Sequence, residues 1–154
     1  MGKPEIKRMD EMKKLIIVLI MFMVSIASAE TDITNHQFGA MKVMVINWTA
    51  EANGTFIAAE TNTINGTVGW VETKPGTTAP TTLYDITLKN NDAYDVMGGK
   101  LADRSATLTE GVAPYDPVND LFVNYPVRGP LTIAITNNSV ASATGTITIF
   151  YWVY

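Results

Sequence analysis

The chain has no cysteine, a single histidine and only 17% charged residues among its 154. The missing thiols exclude a disulfide scaffold and a cysteine-ligated zinc centre. Basic side chains are few and scattered, so there is no cationic stripe to neutralise a phosphate backbone or an anionic lipid surface. The longest uncharged apolar stretch, residues 15–29, is fifteen residues, short of the roughly 18 to 20 that span a bilayer as a helix. After that stretch, helical spacing of apolar residues nearly disappears. Hydrophobic residues make up 47% of the chain, which excludes a disordered polymer.

What is present begins with an export signal. Met12-Lys13-Lys14 supplies a positive start, residues 15–26 an apolar core, and Ala27-Ser28-Ala29 the small-residue pattern that signal peptidase accepts. Translation is expected from Met12 and cleavage after Ala29, which makes 1–29 a signal helix that leaves no stable membrane anchor. The exported chain then carries six basic residues against twelve acidic ones, a net charge of −6. It is expected to be secreted or periplasmic, with residues 30–40 as a flexible N-terminus. The remaining residues, 41–154, form one domain large enough to hold a core without covalent staples.

Twenty of the residues after the signal are threonine, and apolar positions recur at spacing two, the period of a β-strand. Strands are expected at 41–49, 55–61, 67–73, 82–89, 94–97, 121–125, 131–136 and 144–153, with a helical turn at 100–105. Asn53-Gly54, Asn65-Gly66, Pro75-Gly76, Gly98-Gly99 and Gly129-Pro130 punctuate them. Short strands at this spacing predict an all-β fold, an antiparallel sandwich of jelly-roll or immunoglobulin-like type with about eight strands. In the last strand Ile147, Ile149, Tyr151 and Val153 make one apolar face while Phe150, Trp152 and Tyr154 make another. The first face belongs to a core and the second is expected at a subunit contact.

Reactive constellations are scarce. His36 lacks a nucleophile context such as Gly-x-Ser-x-Gly, and is read as a solvated histidine. Asp92 with Asp95, and Asp116 with Asn119 and Asp120, are the carboxylate clusters, but neither follows a calcium-loop spacing. Asp and Asn are also the preferred turn residues. No catalytic, metal-binding or cofactor-binding residue is assigned, and no enzyme activity is expected. Trp48 and Trp70 are expected in the core. If Trp70 or Trp152 instead lay exposed on a sheet face, a carbohydrate-binding module would be the alternative reading. The aromatic ending is also similar to the last strand of outer-membrane barrels, a third reading that needs at least eight strands of about 9 to 11 residues.

Thr81-Thr82-Leu83-Tyr84-Asp85-Ile86-Thr87-Leu88-Lys89, with Tyr94-Asp95-Val96-Met97-Gly98-Gly99 and Asp103-Arg104 following, resembles a group of small uncharacterised proteins of tailed-phage and prophage genomes. Asn47-Trp48-Thr49, the Gly66 to Val71 strand followed by Lys74-Pro75-Gly76, and Gly129-Pro130-Leu131-Thr132-Ile133 with Gly145-Thr146-Ile147 continue the likeness over most of 41–154. The resemblance implies a small β-sandwich, a virion-associated or phage-encoded exported component, and carries over no catalytic residues. The expected function is therefore a non-catalytic structural or surface-interaction role, through protein partners or self-association.

Overall fold

The computed structural model describes residues 30–153; the expected export signal at 1–29 and Tyr154 lie outside the described residues. Every regular element among them is a strand. The strands are β1 (Glu30–Phe38), β2 (Met41–Thr49), β3 (Ala59–Glu60), β4 (Ile64–Pro75), β5 (Asp85–Lys89), β6 (Glu110–Val112), β7 (Tyr115–Asp116), β8 (Leu121–Phe122), β9 (Tyr125–Gly129), β10 (Thr132–Thr136) and β11 (Thr144–Val153). A six-stranded antiparallel sheet runs β1-β2-β11-β4-β6, with β9 pairing the other half of β4. A three-stranded sheet runs β3-β10-β5, and β7 and β8 form a small hairpin. Neither of the larger sheets closes on itself, so the described residues do not make a barrel.

Alternation places the core. Met44, Ile46 and Trp48 of β2, Ile147, Ile149 and Tyr151 of β11, and Val68 and Val71 of β4 are buried. They join Ile86 and Leu88 of β5 and Ile133 and Ile135 of β10 in one hydrophobic cluster. Trp48 reaches across: its ring centroid lies 6.0 Å from that of Tyr84 and 6.0 Å from that of Phe56. Burying each such side chain stabilises the fold by about 1.5–3 kcal/mol.

The segment 30–40, expected as a flexible terminus, instead forms β1, a nine-residue ladder with β2 that has no break from Glu30↔Thr49 to Phe38↔Met41. Gly39, at φ +63, opens the two-residue turn that joins them, where a left-handed first position favours glycine. Of 55–61 only Ala59–Glu60 is a strand, whereas the expected 67–73 strand extends over Ile64–Pro75. Residues 94–97 form a turn because the Asp95 carboxylate accepts the backbone N–H groups of Leu88 (3.2 Å), Met97 (3.2 Å) and Gly99 (2.8 Å). Leu121–Phe122 belongs to the hairpin, and Tyr125 starts β9. Residues 95–102 make successive tight turns, with Gly98 N donating to Asp95 O and Lys100 N to Met97 O. Positive φ at Gly98, Gly99 and Asp103 keeps these from becoming a helix.

Arg104 anchors this irregular region. It is 7% exposed and donates through Nε to Glu110 (3.1 Å) and through a terminal nitrogen to the Lys100 carbonyl (3.0 Å). The Ser105 N–H completes the Glu110 carboxylate at 2.6 Å. A second terminal nitrogen of Arg104 lies 2.9 Å from the same Glu110 oxygen, so Oε2 gathers the guanidinium and the Ser105 N–H in charge-assisted hydrogen bonds.

Candidate interaction face

The outward residues of β11 are Thr144, Thr146, Thr148, Phe150 and Trp152, the complement of the buried set. Because β11 lies between β2 and β4, its backbone is paired on both sides and only these side chains can meet a partner. Phe150 is half-buried and Trp152 is 43% exposed.

β4 brings a third aromatic to the same face. Its register with β11 shifts at one point: Phe150 pairs with Trp70, but Tyr151 pairs with Val68, leaving Gly69 as the extra residue of a bulge. The shift lets Val68 and Val71, three positions apart, both point into the core and turns Trp70 outward. Trp70 is therefore 40% exposed rather than the core residue expected from the usual burial of tryptophan. One row across the sheet reads His36, Val43, Phe150, Trp70, and the next reads Phe38, Met41, Trp152, Thr67. Farther along, the same face becomes polar, where Thr146 Oγ1 donates to Asn47 Oδ1 at 3.0 Å.

Each tryptophan lies on a glycine of an adjacent strand. A Cβ built at Gly145 would meet the Trp48 ring at 2.6 Å, one at Gly111 would meet Trp70 at 2.7 Å, and one at Gly69 would run into Trp152. Glycine beneath an aromatic ring allows the ring to lie flat on the sheet. Trp48 does this inside the core, whereas Trp70 and Trp152 do it on the outer face and remain partly exposed. Asn124 Oδ1 also approaches Gly69, 3.0 Å from where a Cβ would stand.

The other sequence candidates are scattered. His36 is exposed on β1 and itself lines, with Asn35, Gln37, Lys42, Asn62, Thr63 and Tyr151, a polar cavity of about 260 Å³ whose lining contains no serine or carboxylate. Asp95 is occupied by the turn it builds. Asp116 accepts from the Asn119 amide at 2.6 Å and from Val118 N at 2.9 Å, and these hydrogen bonds, the Asn119 side chain's foremost, hold its carboxyl below the usual range. Tyr115 OH donates to Asp120, which raises the phenol. Among the described residues no three His, Cys, Asp or Glu side chains converge as a metal site requires. The outer face of the six-stranded sheet thus groups Trp70, Phe150 and Trp152 with their rings partly exposed. Sequence reasoning found two of its members, Phe150 and Trp152. It missed Trp70 as an outward residue, and the Gly69-Trp70 pair inside a strand pattern was the signal that could have marked the bulge.

No family model, curated protein or solved structure matches the chain.

Proposed function

We propose that the chain is an exported, non-catalytic β-sandwich that works by surface interaction, as a structural or adhesive component, through the outer face of the six-stranded sheet. The observation that carries this reading is the grouping of Trp70, Phe150 and Trp152 on one face, with both tryptophans about two-fifths exposed. Exposed clustered aromatics of this kind are the residues that dominate binding energy at interfaces. The single hydrophobic core shared by the two sheets favours the sandwich, of jelly-roll or immunoglobulin-like type. The resemblance to tailed-phage and prophage proteins extends the proposal to a virion-associated role. Mass spectrometry of purified particles tests that extension: fixed stoichiometry is expected, and absence from particles alongside free exported protein would remove it.

A second reading, a carbohydrate-binding module, is favoured by the flat seating of Trp70 and Trp152 on glycines. An open ring face with a polar neighbour such as Asn124 suits stacking on a pyranose. Affinity electrophoresis through gels containing polysaccharides separates the two. Retardation that disappears in Trp70→Ser and Trp152→Ser assigns the face to sugar; unretarded migration in every polysaccharide leaves the protein-contact reading.

A further inference from the structure

We infer that β1 is a self-association edge, and that two copies of this chain pair β1 against β1 in antiparallel fashion to continue the six-stranded sheet from one copy into the other. The four sheet edges differ sharply. The edge beyond β4 is split into β6 and β9 by the β7–β8 hairpin and carries Pro126. In the smaller sheet β3 has two residues, and β5 is flanked by bridges from Tyr84 to Arg104 and from Lys89 to Asp95. These are the usual ways of blunting an edge. β1 has no proline, no lysine and no bulge over nine residues.

The hydrogen-bond parity shows which groups it offers. Ala50 N donates to Ala143 O, and Val153 N donates to Ala40 O, so even-numbered residues of β2 serve β11 and odd-numbered ones serve β1. Through the pairing Phe38↔Met41, the even residues of β1 bond inward. The backbone groups of Thr31, Ile33, Asn35 and Gln37 consequently point away from the sheet.

The occupant is a second copy because the strand is complementary to itself. Thr34 is the midpoint of Glu30–Phe38, so a two-fold axis there uses all nine residues and gives hydrogen-bonded pairs Thr31 with Gln37 and Ile33 with Asn35 of the other copy. Asp32 then faces the other copy's His36 twice, an acid opposite a group that can donate to it, and Thr34 faces Thr34. A parallel arrangement in the same register would instead set Asp32 against Asp32. Opposite-charge and Thr–Thr pairs stabilise an antiparallel ladder, and like charges weaken it. The two-fold also keeps both aromatic faces on one side of the joined sheet, which makes the assembly bivalent toward a surface.

Sedimentation of the purified protein over a wide concentration range is expected to show mass rising toward that of a dimer. Asn35→Pro removes an outward N–H while sparing the β1–β2 ladder, and is expected to remain a monomer with an unchanged circular dichroism spectrum. With no native cysteine, Thr34→Cys tests the register: across the axis it is expected to oxidise readily to a covalent dimer, and Phe38→Cys is not. Three results would each overturn the inference: a wild-type protein monomeric at its highest concentration, a dimer that persists in Asn35→Pro, or cross-linking at position 34 no faster than at position 38. Trp152→Ser leaves this association intact, so failure here and failure of the aromatic face are read separately.

Discussion

Three tryptophans on three glycines give the residue scale its clearest contrast. Trp48 is fully buried, so a methyl at Gly145 has no room to be accommodated. Gly145→Ala is expected to destabilise by about 1–3 kcal/mol, the cost of overpacking a well-filled core, measured by urea unfolding. Gly111→Ala makes a similar approach to Trp70, but that ring is partly exposed and can lift. It is expected to cost less than about 1 kcal/mol while shifting the Trp70 fluorescence. Tyr84 supplies a pH dependence. Burial, opposed by Arg104 and aided by Glu110, pushes its phenol up to about 12 from 10.0. A group whose folded value is raised holds its full stabilisation below the unfolded value and loses it as pH climbs through the folded one. Stability should therefore fall between about pH 10 and pH 12, and Tyr84→Phe should flatten that fall in unfolding curves taken across the window. The burial of Trp48 agrees with the general preference of tryptophan for the interior. The exposure of Trp70 does not, because one extra residue in β4 turns it outward.

At the scale of elements, residues 94–109 depend on side chains and two isolated bridges in place of a continuous ladder. Glu110→Ala strands the buried Arg104 guanidinium and frees the Ser105 N–H. Since the Glu110 side chain is 33% exposed, the loss is expected at about 2 kcal/mol, below that of a fully buried pair. Arg104→Met should cost less, because the released carboxylate can reach water. Comparing the two by thermal unfolding checks that asymmetry, and equal losses would contradict it. The strands rich in β-branched and apolar residues, Met41–Thr49, Thr132–Thr136 and Thr144–Val153, were readable to within a residue or so, since one buried face imposes a strict period. β1 was not. Glu30-Thr31-Asp32-Ile33-Thr34-Asn35-His36-Gln37-Phe38 shows little apolar alternation because only Thr31 and Ile33 are half-buried, and its order comes from pairing with β2. β6, β7 and β8 were equally hidden or merged, being two or three residues long, with β6 fixed by its pairing with the distant β4.

For the whole molecule, the all-β class and the two-faced last strand followed from period and punctuation. The order of the strands did not, since β2, β11 and β4 are neighbours brought together from opposite ends of the chain. That order puts the last strand in the middle of the sheet and makes its outward aromatics part of a broad face. Among the described residues the long, unbroken edge of this sheet is β1. The account's central claim is that this face is the working surface. The most direct measurement is hydroxyl-radical footprinting of Trp48, Trp70 and Trp152, comparing the isolated protein with the protein in its native setting. The account predicts that Trp48 is unreactive in both, and that Trp70 and Trp152 oxidise in isolation but are protected together in the native setting. Equal reactivity of Trp70 and Trp152 in the two settings would contradict it.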